Sequence, residues 1–422
     1  MEENSKIELN NQSIVSYNNN ANNDLSKLNK KKIKKKFKNK KNNKITTTKI
    51  KETKSVQKIR NPGIDLFRII CMLGIVNSHI LGHGKGYQKF GKYKDKLYLF
   101  EIFTFWHING FGLISGIVGY KTNKYSNLFY LWLCVSFHNT IIYLYYNRNN
   151  PYSIIYKNIF NELFVVVFEK YWYFTSYFGM YLFLPAINKG LQNLSQSEFK
   201  LLVISLHGII IIWNHCKNLN SDIFKLSKGN SVLWLLILYI TGGYIGKYKV
   251  DYNGIKKFIY SLICLIIYIF STLWNYYLPK YSTYNTKGYY MEKLIIILKL
   301  LCCNMHNSFP RVLQTISLSL FILQIKYNKY IAKIISFIGP LTFGVYLIHD
   351  NNYIRNNIIS RIFSKDPSNL PFISTLELDL IKVFKIFIIC CFIDYIRHII
   401  FTICRIRKIC IFIEKIAFKI LG

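Results

Sequence analysis

The sequence predicts an all-α membrane protein, a polytopic bundle of about ten transmembrane helices, and three observations lead there. Of its 422 residues, 51% are hydrophobic and 17% aromatic, and they fall in long apolar blocks after residue 60. The blocks run to about 20 residues each, the length that crosses a hydrocarbon core. The formal charge of +36 gathers in the first sixty residues and in short connectors rather than over a folded face. Charge so placed argues against nucleic acid as the partner and for membrane lipid.

The chain divides into three parts. Residues 1–59 are rich in Asn and Lys, hold no Gly or Trp, and carry nine lysines among the twelve residues from Lys30 to Lys41. Such a segment buries too little apolar surface to offset ordering entropy. It is expected to be a disordered cytoplasmic tail, either drawn to anionic lipid by its lysines or simply low in complexity. No apolar core with a small-residue cleavage site occurs there, so no removable leader is expected. Residues 60–408 form the transmembrane domain, and 409–422 a short cytoplasmic C-terminal tail.

Within the domain, spans are expected at roughly 62–83, 98–120, 127–146, 171–188, 199–216, 231–247, 257–278, 306–325, 334–354 and 379–404, each a run that satisfies the length criterion. The stretch 153–168 is too polar for a further span and 294–303 is too short; both suit interfacial or re-entrant positions. Lysine and arginine in the connectors orient the bundle. With the N-terminus cytoplasmic, Lys121 and Lys124, Lys247 to Lys257, Lys326 to Lys333 and the Arg405–Lys408 run all fall inside. The first outer loop, GHGKGYQKFGKYKDK, is basic too. Both termini are still placed in the cytoplasm, because the basic tail precedes the first span and the span count is even.

The ten cysteines give neither a disulfide nor a zinc framework: most interrupt apolar runs, and no C-x-x-C pair occurs. They suit small apolar filler, and no metal site is read from the sequence.

The first span, NPGIDLFRIICMLGIVNSHILGHG, carries side chains that hydrocarbon rejects: Asp65, Arg68 and His79. Eleven residues of helix turn through about 1100°, close to three full turns, so Arg68 and His79 share a face about 16 Å apart. Asp65, three residues before Arg68, is placed to pair with it. A cation at the mouth and an imidazole deeper on one stripe suit a phosphate-bearing donor that inserts its reactive end; snorkelling and helix packing are the structural alternatives. Neutral imidazole removes a hydroxyl proton or carries an acyl group as nucleophile, which makes His79 the leading catalytic candidate.

These residues resemble the first-span signature of the membrane-bound acyltransferase-3 family, a basic residue followed after ten positions by histidine. The likeness continues in order through NGFGLISGIVGY (109–120), YWYFTSYFGMYLFLPAINK (171–189), LYITGGYIGKY (238–248), LTFGVYLIHDNNYIR (341–355) and IDYIRHIIF (393–401). It is strongest with the branch that modifies surface polysaccharide. The resemblance implies a ten-span bundle moving an acyl group, often acetyl, from cytoplasmic acyl-coenzyme A to a carbohydrate hydroxyl on the other face. Acyl-coenzyme A would be a donor substrate, with no tightly bound cofactor and a carbohydrate or glycoconjugate as acceptor. His79 matches the essential histidine and Arg68 the essential basic residue. Where many members carry R-x-x-R, this chain has KTNK; Lys121 and Lys124 keep the charge but lose bidentate phosphate geometry.

Other polar positions keep two readings. Thr342, Tyr346 and His349 fall on one stripe of the ninth span, where His349 either orients His79, meets the acceptor, or only hydrogen-bonds at the interface. Gly112 and Gly116 form G-x-x-x-G with Ser115 between them, which explains close helix approach; the resemblance adds Ser115 and Gly116 as a border of the donor channel. Asp394 and Arg397 neutralise each other three residues apart. A transporter with related halves, a non-catalytic bundle, or an acyltransferase acting on lipid or amino sugar are the competing functions.

Overall fold

In the computed structural model, described over residues 61–122, 124–149, 156–216, 224–281 and 306–421, the architecture is all helical. Of the described residues 82% are helical and none lies in a strand. The expected tail and the short apolar stretch 294–303 lie outside the described residues. All of the helices belong to one compact unit, residues 60–422.

Helix α1 (Pro62–Gly82) starts where its sequence says it should: Asn61 accepts from the Gly63 amide at 2.9 Å, Pro62 fills the first turn, and Asp65 faces the positive end of the helix dipole. A turn of helix α2 (Gly86–Lys89) leads to α3 (Lys94–Ile102), α4 (His107–Gly119) and α5 (Tyr125–Asn147). Then come α6 (Tyr156–Leu163), α7 (Trp172–Asn193), α8 (Gln196–Cys216), α9 (Val232–Tyr248), α10 (Gly254–Tyr281) and α11 (Phe309–Gln324). The chain closes with α12 (Lys329–Ile338), α13 (Thr342–His349), α14 (Asn352–Asn357), α15 (Phe372–Ile403) and α16 (Ile406–Leu421).

A helix lies at each of the ten expected spans, but among the described residues five segments are long and apolar enough by themselves to cross a membrane: Pro62–Gly82, Gly91–Gly119, Tyr125–Asn147, Gly254–Tyr277 and Lys329–His349. Helix α9 is apolar but short. Helix α15 carries Asp379, Lys382, Lys385, Asp394 and Arg397, and α11 carries Arg311, Gln314 and Gln324. The 153–168 stretch contains the short helix α6, and residues 406–421, expected as connector and tail, form α16.

Helix α1 is the hub, touching α4, α11, α12, α13 and α15. Just over half of its span is buried, against about a fifth for α10. The outward faces of α10 and α15 instead expose rows of Ile, Phe and Leu, including Phe258, Ile266 and Phe270 on α10 and Ile381, Ile388 and Phe392 on α15. Such rows belong against lipid.

Small residues set the closest approach. An added Cβ at Gly116 would lie 1.9 Å from the Tyr239 carbonyl oxygen, and one at Gly242 would lie 2.0 Å from that of Leu113. The α4 and α9 backbones therefore touch through G-x-x-x-G faces. A buried network closes the other side: Arg397 grips Asp394 with two bonds of 2.8 and 2.7 Å, His138 of α5 reaches the same carboxylate at 2.8 Å, and Arg397 donates to the Tyr130 hydroxyl at 3.1 Å. Gly344 leaves the room that this carboxylate occupies, since a Cβ there would meet Asp394 Cγ at 2.0 Å.

Candidate active site

Helix α1 runs without a break, so Arg68 and His79 stand on one stripe as the spacing required, about 16 Å apart along the axis. Each faces its own cavity. At the Arg68 end, Arg68 donates to Asp65 at 2.9 Å, and Asp65 is fully buried against Gly339. The guanidinium is thus oriented by a fixed carboxylate. It lines a cavity of about 270 Å³ together with Ser115, Thr122, Asn127, Tyr177, Tyr181 and Tyr239.

The other four expected donor residues are placed variously. Ser115 lines this cavity and donates to the Phe111 carbonyl at 2.8 Å. Gly116 turns to α9, where its role is close backbone packing. Lys121 and Lys124 are exposed on either side of Thr122; Lys121 lies over the Tyr120 ring, and the Lys124 carbonyl accepts from Tyr181 at 3.0 Å.

At the other end, His79 and His107 line a second, narrow cavity of about 50 Å³ walled by Met72, Ile75, Phe111, Phe343 and Trp172. Phe111 is a wall of both cavities, so a donor anchored at Arg68 would pass it to bring a reactive end to His79. The second cavity is apolar but for a few convergent groups. Among the described residues, His107 Nδ1 and the Tyr173 hydroxyl are buried there with no hydrogen-bond partner. A buried polar atom left unpaired costs about 1–3 kcal/mol, a cost that a bound substrate removes.

Hydrogen bonding assigns the state of His79. His349 Nδ1 lies 2.6 Å from the Val345 carbonyl, which only accepts, so that nitrogen carries the proton and His349 Nε2 keeps a lone pair. His79 Nδ1 lies 3.0 Å from that lone pair and 3.5 Å from Asp350 Oδ1; both partners call for a proton on Nδ1. The neutral His79 ring then holds its lone pair on Nε2. The chain Val345–His349–His79 thus fixes the orientation and tautomer of the His79 imidazole. His349 lies within hydrogen-bonding distance of His79, the arrangement that an orienting role requires.

The stripe Thr342, Tyr346, His349 is intact on α13. Tyr346 joins the cavity wall, while Thr342 only caps back onto the Gly339 carbonyl at 2.8 Å. Three donors also gather beyond the end of α1, with one ligand atom each from His79, His83 and Asp350 within 4.8 Å of one another. Partial burial, and then the nearby Arg355 guanidinium, hold the His83 imidazole below its ordinary pKa.

Sequence reasoning passed over three buried groups here. His107 reaches Ser78, the neighbour of His79, at 3.1 Å; Glu101 takes a hydrogen bond from Tyr87; and Arg311 lies over the Phe105 ring at 4.6 Å. Each is an ionisable residue inside an apolar block, a signal that by itself marks a functional site. A third, polar cavity of about 130 Å³ is lined by Asn139, Glu162, Lys170, Tyr171, Asn351 and Tyr353.

A family model described as an acyltransferase domain matches residues 61–393. No curated protein and no solved structure matches the chain.

Proposed function

Since the chain belongs to the acyltransferase-3 family, we propose that it is an integral membrane O-acyltransferase. In this reading it moves an acyl group, acetyl by preference, from cytoplasmic acyl-coenzyme A to a hydroxyl of a carbohydrate or glycoconjugate on the opposite face of a ten-span bundle. Arg68, held by Asp65, meets the donor's phosphates, with Ser115 beside it and Lys121 and Lys124 supplying charge at the mouth. The pantetheine arm passes Phe111 and delivers the thioester to the cavity beside His79.

There His79 Nε2 takes the proton of the acceptor hydroxyl as its oxygen attacks the thioester carbon. The C–O bond forms, the C–S bond breaks, and the proton passes from His79 to the departing thiolate. No external oxidant or reductant is needed. The imidazolium formed in passing is stabilised through Nδ1 by His349 and Asp350. The polar cavity lined by Asn139, Glu162, Tyr171 and Asn351, with its amide, carboxyl and tyrosine groups, has the chemistry that hydroxyl-rich acceptors require.

The observation that carries this reading is the Val345–His349–His79 chain, which leaves a lone pair on the one imidazole aligned with Arg68. The test supplies acetyl-labelled acetyl-coenzyme A to sealed vesicles and identifies the labelled product by mass spectrometry. Label in an ester of a carbohydrate fraction, absent with His79→Gln, is the expected result. Equal labelling by parent and His79→Gln, or none by the parent with any carbohydrate acceptor, refutes it.

A further inference from the structure

His79 and His83 are four residues apart at the end of α1, a spacing that sets two imidazoles on one face of a helix. The turn holds there, because the His83 amide bonds the His79 carbonyl at 2.8 Å, and the ring centroids lie 5.3 Å apart. Asp350, at the C-cap of α13, brings a buried carboxylate to the same place, its Oδ1 3.5 Å from His79 Nδ1. Metal–ligand bonds of about 2.0–2.1 Å in a tetrahedral site put donor atoms about 3.3 Å apart. The His79–Asp350 edge already has nearly that length. The edges to His83 lie within 4.8 Å and close by rotation of an exposed side chain.

Two imidazoles, one carboxylate and an open fourth position suit zinc among the divalent ions. Arg355 also reaches Asp350, at 3.4 Å. That cation competes for the carboxylate and has to swing aside, which half-exposed arginine does readily.

We propose that His79, His83 and Asp350 form a zinc-binding site where the end of α1 meets the C-cap of α13, and that its occupation switches the enzyme off. The inhibitory consequence rests on the acyl-transfer reading above. Zinc on Nδ1 of a neutral imidazole leaves the ring proton on Nε2, the atom that otherwise holds the catalytic lone pair. Binding therefore reverses the tautomer of His79 without moving the ring. The ion takes the place of the Nδ1 proton, so His349 Nε2, now 3.0 Å from that nitrogen, has to move back to admit it and then fills the fourth position.

The test uses the full chain in nanodiscs, washed with chelator. Zinc affinity is measured by competition with a chromophoric indicator, cobalt substitution is followed by visible absorption, and acetyl transfer is titrated against buffered free zinc. The parent should bind one zinc, give a tetrahedral cobalt spectrum and lose turnover along the same isotherm. His83→Ala should keep the basal rate and weaken zinc binding and inhibition together by at least about tenfold, with His83→Asn as a second variant should the first fold poorly. Parent affinity no higher than that of empty nanodiscs overturns the site. So does unchanged affinity in a folded His83 variant, and bound zinc with undiminished turnover overturns the switch. Zinc binding that depends on His83 in a protein showing no acyl transfer upholds the site while refuting the reading of function.

Discussion

Replacing Arg68, His79 and His349 one at a time should give three different kinetic signatures. Arg68→Lys keeps the charge and loses the planar fork; one charge-assisted hydrogen bond is worth about 1.5–3 kcal/mol, so the donor KM should rise about ten- to a hundredfold with little change in kcat. For His79→Gln the expected loss is at least about 10²–10⁴ in kcat, with coenzyme A binding retained; an unchanged kcat would make the imidazole a packing residue. His349→Ala removes the acceptor that fixes the proton on His79 Nδ1, and kcat should fall by up to about 10⁴, the wrong-tautomer effect. His349→Gln, whose amide oxygen also accepts, should recover part of it, whereas a purely structural role would show as lost folded protein with no such rescue. Arg68 and His79 were legible in the sequence because one helix fixes their relation; their common face follows from 3.6 residues per turn and nothing else. The partnership of His79 with His349 was open, because the two lie 270 residues apart and only packing of α13 on α1 brings them to 3.0 Å. His107, Glu101 and Arg311 were missed for another reason: they occupied apolar blocks that the length criterion had already explained.

At the scale of elements, the apolar blocks located the helices, and their positions needed only hydropathy and length. The number that cross a membrane unaided did not follow as directly. Polar side chains that face inward, such as Gln314 to the Ile102 carbonyl at 3.0 Å and Lys382 to the Ile362 carbonyl at 2.5 Å, lower a helix's mean hydropathy without exposing polarity to lipid. The glycine spacing was informative: Gly112 and Gly116 mark the face of α4, and its mate on α9, Gly242 and Gly246, carries the same period. A side chain on that seam has nowhere to go, so Gly242→Val should lower stability by about 1–3 kcal/mol or more. Gly190→Ala, at a site on α7 with nothing within 4 Å, should instead be neutral or stabilise by about 0.5–1 kcal/mol. Thermal melts of the two variants in detergent decide the matter: equal melting temperatures would mean that α4 and α9 do not meet through these glycines.

For the whole molecule, the two ends of the helical domain emerge together. Arg397, two turns from the end of α15, bonds Tyr130 near the start of α5. Helix α5 begins beside Thr122 and Asn127, which share the cavity of Arg68 near the start of α1. The chain therefore enters α1 and leaves α15 on the Arg68 side, and α16 continues there along α5. That helix alternates Ile and Phe with Arg407, Lys408, Lys415 and Lys419, the composition of a helix lying in a membrane interface. An even number of crossings was an expectation of the hydropathy count; the shared end supports it through side-chain contacts that are independent of hydropathy. The expectation that this face is cytoplasmic rests on charge, since the lysine-rich stretch before residue 60 and the basic residues of α16 are of the kind that favours the cytoplasmic leaflet. Tags fused before Met1 and after Gly422 should consequently both survive protease added to right-side-out vesicles, and both be digested once the vesicles are opened. Digestion of one tag alone in sealed vesicles would require an odd number of crossings and break the bundle as drawn. Digestion of both would keep the bundle and invert it, placing Arg68 on the face where acyl-coenzyme A is absent and removing the donor from the proposed reaction.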